Sequence, residues 1–272
     1  MTNNFGKESL LFVKTKLSNN ITVIEDSYFT APYKIAKPFY DYEENMANLM
    51  IMCASAGIME GDCYKIDMVI GEGSAISLQG QSFSKIHQMN SGYAKQENNF
   101  HIETNAFFDY NPKTTIPFAK SKFKSNTVCY LQKGSQYIYS EIISCGREKS
   151  GEQFAFKQYK NFNKVYYCDE LLFLDNQVLI PEVQELNDIG FFENFTHQAT
   201  LAYFYDQMDS NLIERLYCIL KQFNNIEAGI SNTHKNGIVI RMLANGSDCL
   251  ENIIKNIRTE LYRYRSITPS YI

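Results

Sequence analysis

Hydrophobic and polar residues alternate with a period of two through the first two thirds of the chain. In the run Tyr64-Lys65-Ile66-Asp67-Met68-Val69-Ile70, the side chains of Tyr64, Ile66, Met68 and Ile70 share one face. Similar runs are short, rich in β-branched and aromatic residues, and separated by Gly, Asn, Asp or Pro. Strands are therefore predicted over 10–17, 21–25, 48–53, 64–70, 75–79, 99–103, 106–110, 128–131, 137–144, 154–159 and 164–168.

The spacing of apolar residues becomes helical near the C-terminus. One stripe follows Asp209 or Ser210, either of which can serve as its N-cap, and a second follows Ser247-Asp248, where Glu251 can close a capping box. The stripes are Leu212, Ile213, Leu216, Ile219 and Leu220, then Leu250, Ile253, Ile254, Ile257 and Leu261. Residues 237–243 between them have the pattern of a strand.

These patterns predict a mainly β protein with a small C-terminal α/β cap containing two helices. No helical stripe precedes residue 181, so the body is expected to be all-β, and spacing alone leaves open a sandwich, a barrel or a helical stack of strands. No Pro/Ser-rich linker divides the chain. A single domain over 1–272 is predicted, with the β body at 1–195 and the cap at 196–272.

Composition and charge exclude several classes of function. The 272 residues are 44% hydrophobic and 14% aromatic, enough for a substantial core. A net charge of −4 disfavours nucleic-acid binding, because no excess of cations can neutralise phosphates. The longest apolar stretch, 49–59, is about half of the roughly 20 residues that a membrane-spanning helix needs, so no membrane segment is predicted.

The cysteines and the N-terminal residues indicate a cytoplasmic protein. Seven cysteines, none in a C-x-x-C pair, fit reduced thiols better than a disulfide framework. The first residues lack a basic region leading into an apolar run, so secretion is not signalled.

Enzyme chemistry is weakly supported by the residues. The four histidines are scattered, and Cys145, before Gly146-Arg147, is the only thiol in a suggestive context, although burial beside a turn is the commoner role. The Gly71-Glu72-Gly73-Ser74 segment lacks the ending of a phosphate-binding loop and is interpreted as a hairpin turn. We expect no catalytic site, no stable metal site and no bound cofactor.

Polar residues inside predicted strands allow two interpretations. Gln79, Gln81, Ser82, Ser84 and Lys85 interrupt what should be an apolar run, and Ser140-Glu141 lies inside an apolar strand. They can form a solvated face, since alternation sends every second residue outward. They can also line a water-filled passage for a divalent cation, which requires weak binding spread over several sites.

Four short blocks in fixed order resemble one known family. They are Ala56-Gly57-Ile58-Met59-Glu60-Gly61-Asp62, Gln81-Ser82-Phe83-Ser84-Lys85-Ile86-His87, Thr115-Ile116-Pro117-Phe118, and Gly146-Arg147 followed by Gly151-Glu152-Gln153-Phe154. Together they resemble the urease accessory protein family UreD, also called UreH, from about residue 29 to 181. Ala56 and Glu60 depart from the family pattern, which has glycine at both positions.

The resemblance implies an irregular β-helix-like body of many short strands and a non-enzymatic role. Proteins of this family bind apo-urease and, with UreF and UreG, deliver nickel to its active site. UreG is the GTPase that carries nickel and UreF bridges it to UreD. The resemblance therefore implies nickel in transit, and a dimer of heteromeric complexes assembled through UreF.

The resemblance also selects candidate residues for a nickel passage. The family's acidic position before the Gly-Arg block falls on Glu141, and its other blocks contribute Asp62, Gln81, Ser82 and Lys85. The rival interpretations are a hydrolase or transferase on an all-β frame, acting through Cys145 or a histidine, and an adhesin-like structural protein. The missing secretion signal weighs against the adhesin.

Overall fold

Two facing β-sheets contain most of the chain. The structure, a computed structural model, describes residues 8–209 and 211–267. Its strands are β1 Glu8–Ser18, β2 Ile21–Phe29, β3 Tyr33–Ile35, β4 Phe39–Asp41, β5 Met46–Cys53, β6 Cys63–Ile70, β7 Ala75–Gly80, β8 Ser84–Ile86, β9 Ala94–Ile102, β10 Phe107–Asn111, β11 Thr115–Pro117, β12 Lys122–Leu131, β13 Gln136–Ser144, β14 Gln158–Tyr167, β15 Glu170–Leu179, β16 His197–Tyr205, β17 Ile226–Asn232 and β18 Gly237–Ala244. The helices are α1 Leu212–Leu220 and α2 Ser247–Ile267, with a 3₁₀ turn at Glu148–Ser150.

The chain winds between the two sheets as an irregular solenoid of about four turns. The first sheet has the order β15-β14-β12-β9-β6-β1-β2, and the second has the order β17-β18-β16-β13-β10-β7-β5-β3, with β4, β8 and β11 attached at its margin. Between β6 and β14 the chain passes repeatedly from one sheet to the other, so the neighbouring strands β6, β9, β12 and β14 of the first sheet are parallel. This confirms the mainly β, β-helix-like fold.

Equivalent turns connect successive coils on one side of the solenoid. Gly73, Asn105 and Gly134 occupy these turns with left-handed backbone conformations. The Gly73 amide donates to the Thr104 carbonyl of the next turn (3.0 Å), and the Gly134 amide donates to the Asp206 carboxylate (3.1 Å). Asp206 therefore ends the row of turns. The predicted hairpin at Gly73 is wrong, because this turn joins β6 and β7 in different sheets.

The space between the sheets is filled mainly by aliphatic and aromatic side chains. In-register strands place equivalent rings side by side, so Phe108, Tyr137 and Phe204 stack with centroids 5.8 and 6.1 Å apart. A second apolar cluster lies on the other face of the second sheet, where α1 and α2 pack. The aromatic content thus stabilises the association of the coils.

Several predicted strands have different bounds in the structure. The predictions at 154–159 and 164–168 overlap one continuous strand, β14, which begins at Gln158 and ends at Tyr167; Phe154 and Cys168, at the outer ends of the two predictions, have left-handed φ values of 50° and 46°. Residues 79–85 do not form one strand, since β7 ends at Gly80 and β8 begins at Ser84. Strands β15 and β17 were not predicted, because charged residues and Gly229 interrupt their apolar pattern.

Both predicted helices are present and cover the outer face of the second sheet. Strand β16 pairs with β13, and β18 with β16, so the strands after residue 195 continue that sheet. The N-cap of α1 is Asn211 rather than Asp209, and Ser210 lies outside the described residues. The predicted capping box is wrong, because the Glu251 carboxylate pairs with Lys113 (2.8 Å) and accepts from Thr114 (3.5 Å).

Candidate functional site

Two adjacent rows of polar side chains cross the inner face of the first sheet. They result from the register of four neighbouring strands, β9, β12, β14 and β15, which aligns polar residues at every second position. The first row is Gln96, Ser125, Asn161 and Gln177, and the second is Asn98, Thr127, Asn163 and Asp175. Within the rows, the Asn98 amide donates to the Thr127 hydroxyl at 2.9 Å. Polar groups thus form a continuous band through an otherwise apolar interior.

The second sheet contributes one carboxylate to this band. Glu141 on β13 accepts a hydrogen bond from the side-chain amide of Asn161. The same Asn161 amide and that of Asn163 donate to the Tyr139 hydroxyl, at 3.4 and 3.1 Å. Glu141 is therefore held in place by groups of both sheets.

Burial raises the pKa of Glu141 to about 7. The Tyr139 and Asn161 side chains oppose this shift by hydrogen bonding to the carboxylate, Asp175 raises the pKa and Arg241 lowers it. The Glu141 side chain is half-buried rather than fully buried because it borders a cavity. Near neutral pH this group is therefore present in both its protonated and its ionised form.

Two adjoining cavities lie between Glu141 and the protein surface. The inner cavity, of about 50 Å³, is lined by polar-row residues and by Tyr139 and Glu141. The outer cavity, of about 160 Å³, extends to exposed residues at the bend between β7 and β8. Both linings include Ile58, Ser84, Gln96, Tyr110, Pro112 and Lys113. Their combined volume can hold a few water molecules or a hydrated ion.

The structure places the sequence-predicted residues at different depths. Gln81, Ser82 and Lys85 line the outer cavity and are exposed. Glu141 lies at the end of the inner cavity. Asp62 lies in neither lining: its carboxylate accepts from the Met59 amide (2.8 Å) and the Tyr64 hydroxyl (3.2 Å), which closes a turn.

Comparison with known proteins identifies the family. The family model described as UreD urease accessory protein matches residues 7–269. The chain belongs to the UreD family. It is 51% identical to the urease accessory protein UreD of Acetivibrio thermocellus over 96% of the chain and 100% of that relative. It is 36% identical to UreH of Helicobacter hepaticus (93% and 98% covered) and 30% identical to UreH of Helicobacter pylori strain P12 (94% and 95%).

Membership of the UreD family supports an accessory role in urease maturation. Such a role implies interaction with urease and with other accessory proteins. The rival catalytic interpretation is not supported at Cys145, because burial raises the pKa of this thiol to about 11 and disfavours the nucleophilic thiolate. Among residues 8–209 and 211–267, no three His, Cys, Asp or Glu side chains cluster as metal ligands, and no helix could span a membrane.

The two departures from the UreD pattern are accommodated by local contacts. Gly57 and Gly61 have positive φ, whereas Ala56 and Glu60 do not require it. The Glu60 carboxylate accepts the Asn90 amide (2.7 Å) and the two following amides, and these bonds lower its pKa. Glu60 thereby joins the loop that walls the outer cavity to a neighbouring loop.

Sequence reasoning missed most of the polar rows in this UreD-family chain. The available signal was a pair of polar residues two positions apart, repeated in four strands: Gln96 and Asn98, Ser125 and Thr127, Asn161 and Asn163, Asp175 and Gln177. Each pair by itself looks like one half of a solvated strand face. Only the shared register shows that all four point inward.

The polar rows continue beyond the inner cavity, which ends at Asn161 and Glu141. There the Gln177 amide donates to the Gln198 side-chain carbonyl, and the Arg241 guanidinium pairs with Asp175 at 2.8 Å. Both contacts join β15, at the edge of the first sheet, to the second sheet. Exposed residues of the β7–β8 bend therefore line the outer cavity, whereas no residue of β15 lines either cavity.

Proposed function

We propose that this chain is a urease maturation scaffold that binds apo-urease and, with UreF and UreG, guides nickel to the urease active site through its polar interior. The observation that carries the proposal is the position of Glu141. A single carboxylate lines the inner cavity, where several of the other lining side chains are amides and hydroxyls, and the outer cavity adjoins it on the side of the β7–β8 bend. An apolar interior would be more stable, so the polar band is expected to have a function.

The chemistry of the lining suits a divalent cation in transit. Amide and hydroxyl oxygens bind such a cation weakly, whereas clustered imidazoles and thiolates would retain nickel. Spread over Gln96, Ser125 and Asn161, weak sites allow the ion to move from one to the next. Glu141 supplies the one negative charge that the inner cavity needs to attract the ion.

The proposed partners follow from the family. The UreD-family relatives are named urease accessory proteins, and we infer that this chain acts in the same setting. UreF is proposed to bind it directly and UreG through UreF, in a dimer of heteromeric complexes in the cytoplasm. Nickel is the cargo of this assembly and is not held as a resident cofactor.

A plug inside the cavity tests the proposed passage. Ser125 lines the inner cavity and lies in the middle of the first polar row. Ser125→Phe should fill the cavity and lower urease activity and the nickel content of urease, while the accessory complex still co-purifies. Ser125→Ala, which removes the hydroxyl without adding volume, is the matched control and should retain most of the activation. Full activation by a folded Ser125→Phe protein would refute the passage.

A further inference from the structure

The closed end of the polar band is formed by two charged side chains from different sheets. Arg241 on β18 reaches Asp175 on β15, and the Asp175 side chain is only 13% exposed while the Arg241 side chain is 46% exposed. In the second sheet, Glu141, Thr200 and Arg241 occupy one row of the register. In the first sheet, Asp175 ends the row of Asn98, Thr127 and Asn163. The ion pair therefore joins the last polar residue of the first-sheet row to the Glu141 row of the second sheet, which continues only to Gly229 on β17.

We propose that Arg241 and Asp175 form a gate through which a divalent cation leaves the interior. This inference rests on the proposed passage and adds to it an exit and a mechanism of closure. In the closed state, the guanidinium neutralises Asp175 and places a fixed positive charge in front of an approaching cation. When the gate opens, the Arg241 guanidinium moves away from Asp175, and the Asp175 carboxylate binds the metal ion in its place.

The surroundings of the pair are suited to this exchange. Strand β15 has a hydrogen-bonded neighbour only on its β14 side among the described strands, so its outer part can move without breaking a second ladder. The exposed guanidinium can turn into solvent, where its charge is well hydrated, while Asp175 stays in place. Asn163 lies beside Asp175, and its side-chain carbonyl oxygen is buried without a hydrogen-bond partner among the described residues. That oxygen is a free ligand next to the gate.

A gate and a purely structural salt bridge predict different results when each partner is substituted in turn. Arg241→Met preserves the length of the side chain but removes the competing charge, so nickel transfer should be several-fold faster. Asp175→Asn preserves the shape but removes the acceptor and leaves the guanidinium unneutralised, so transfer should be several-fold slower. If the pair only fastens the sheets together, both variants should lose stability and activation together.

The chain offers a matched control on the same side of the molecule. Lys235 pairs with Glu170, and this exposed contact also connects β15 to the β17–β18 hairpin. Lys235→Met and Glu170→Gln should leave the rate of nickel transfer unchanged. If Arg241→Met does not fold, Arg241→Gln tests the same loss of charge with a side chain that can still donate to Asp175.

The experiment measures the initial rate at which the assembled accessory complex incorporates nickel into apo-urease. The rate is divided by the amount of folded variant present in that complex. Faster transfer by Arg241→Met and slower transfer by Asp175→Asn, with unchanged Lys235 controls, supports the gate. If both variants change the transfer rate in the same direction, or if neither changes it, the gate is overturned. The Ser125→Phe variant separates the two proposals: if it blocks transfer and the Arg241 and Asp175 variants show no opposite effects, the passage stands and the gate is rejected.

Discussion

Arg258 and Asp109 form a buried ion pair that fastens helix α2 to the centre of the second sheet. The guanidinium Nε donates to both carboxylate oxygens, at 3.0 and 3.1 Å, and Tyr262 donates to the same carboxylate. Asp109 is fully buried, and the two residues are 149 positions apart in sequence. The pair attaches the middle of α2 to the sheet, and the Glu251–Lys113 ion pair is a second contact of the same helix.

We predict that Arg258→Met destabilises the protein by about 3–5 kcal/mol, because it leaves the Asp109 carboxylate buried and unpaired. Urea denaturation monitored by circular dichroism measures the loss. The double variant Asp109→Asn/Arg258→Met removes the unpaired charge and should recover a large part of the stability. A single-variant loss below about 1 kcal/mol, the range of exposed pairs, would contradict this account.

The raised pKa of Glu141 predicts a pH dependence of stability. Since its pKa is about 7 in the folded protein and near 4.5 in the unfolded chain, the folded state binds more protons between these values. The contribution of Glu141 to stability should therefore decrease as pH rises from 4.5 to 7, by at most about 1.4 kcal/mol per pH unit. Denaturation curves of wild type and Glu141→Gln at pH 5 and pH 7 test this: the wild type should lose stability relative to the variant.

Glu141→Gln also separates the role of the charge from the role of the shape. The amide can keep contact with Asn161 and Tyr139, so the variant should fold and bind its partners. Without the carboxylate, urease matured in its presence should contain less nickel, as measured by elemental analysis. Normal nickel content would remove Glu141 from the proposed path.

Ser82 tests the outer end of the cavities. It lies in the bend between β7 and β8, where it is exposed at the outer cavity. Ser82→Trp should reduce urease activation, but less than Ser125→Phe does, because an indole at the rim can turn toward solvent. A pull-down should recover the intact accessory complex. Wild-type activation by a folded Ser82→Trp protein would show that nickel does not enter past this bend.

Asp206 is predicted to stabilise the stacked turns of the solenoid. Its carboxylate accepts the Gly134 amide (3.1 Å) and the Tyr167 hydroxyl (2.7 Å). Asp206→Ala should cost about 1–3 kcal/mol, since both donors lose their acceptor. Asp206→Asn, which keeps one acceptor oxygen, should cost less. Equal melting temperatures for wild type and Asp206→Ala would show that the turns need no acceptor at this position.

Local patterns in the sequence were sufficient for many elements of the fold. The alternation in 64–70 predicted β6, and the stripe from Leu250 to Leu261 predicted α2, because each element places its own apolar residues on one face. The four short blocks were sufficient for the family, which the match over residues 7–269 shows. Of the residues around the inner cavity, Glu141 and Ser84 were noted in advance.

Other features depend on which strands become neighbours. Alternation shows that Asn161 and Asn163 share a face, but it does not show that Ser125 and Thr127 lie beside them. The hydrogen-bonded register between strands decides this, and register depends on the packing of coils that are distant in the chain. Glu251, which was expected to close a capping box at the start of α2, binds Lys113 for the same reason. Packing of the whole chain brings Lys113, 138 positions away in sequence, to 2.8 Å from its carboxylate.

The sequence by itself determined many of the strands, the two helices and the family, because these depend on spacing and motifs within short segments. Only the tertiary structure decided that four polar pairs form a continuous band, that Glu141 joins this band from the other sheet, and that Arg241 pairs with Asp175 at the β15 edge. These properties depend on contacts between the two sheets. Such contacts form only when the whole chain has packed, and no local pattern of residues specifies them.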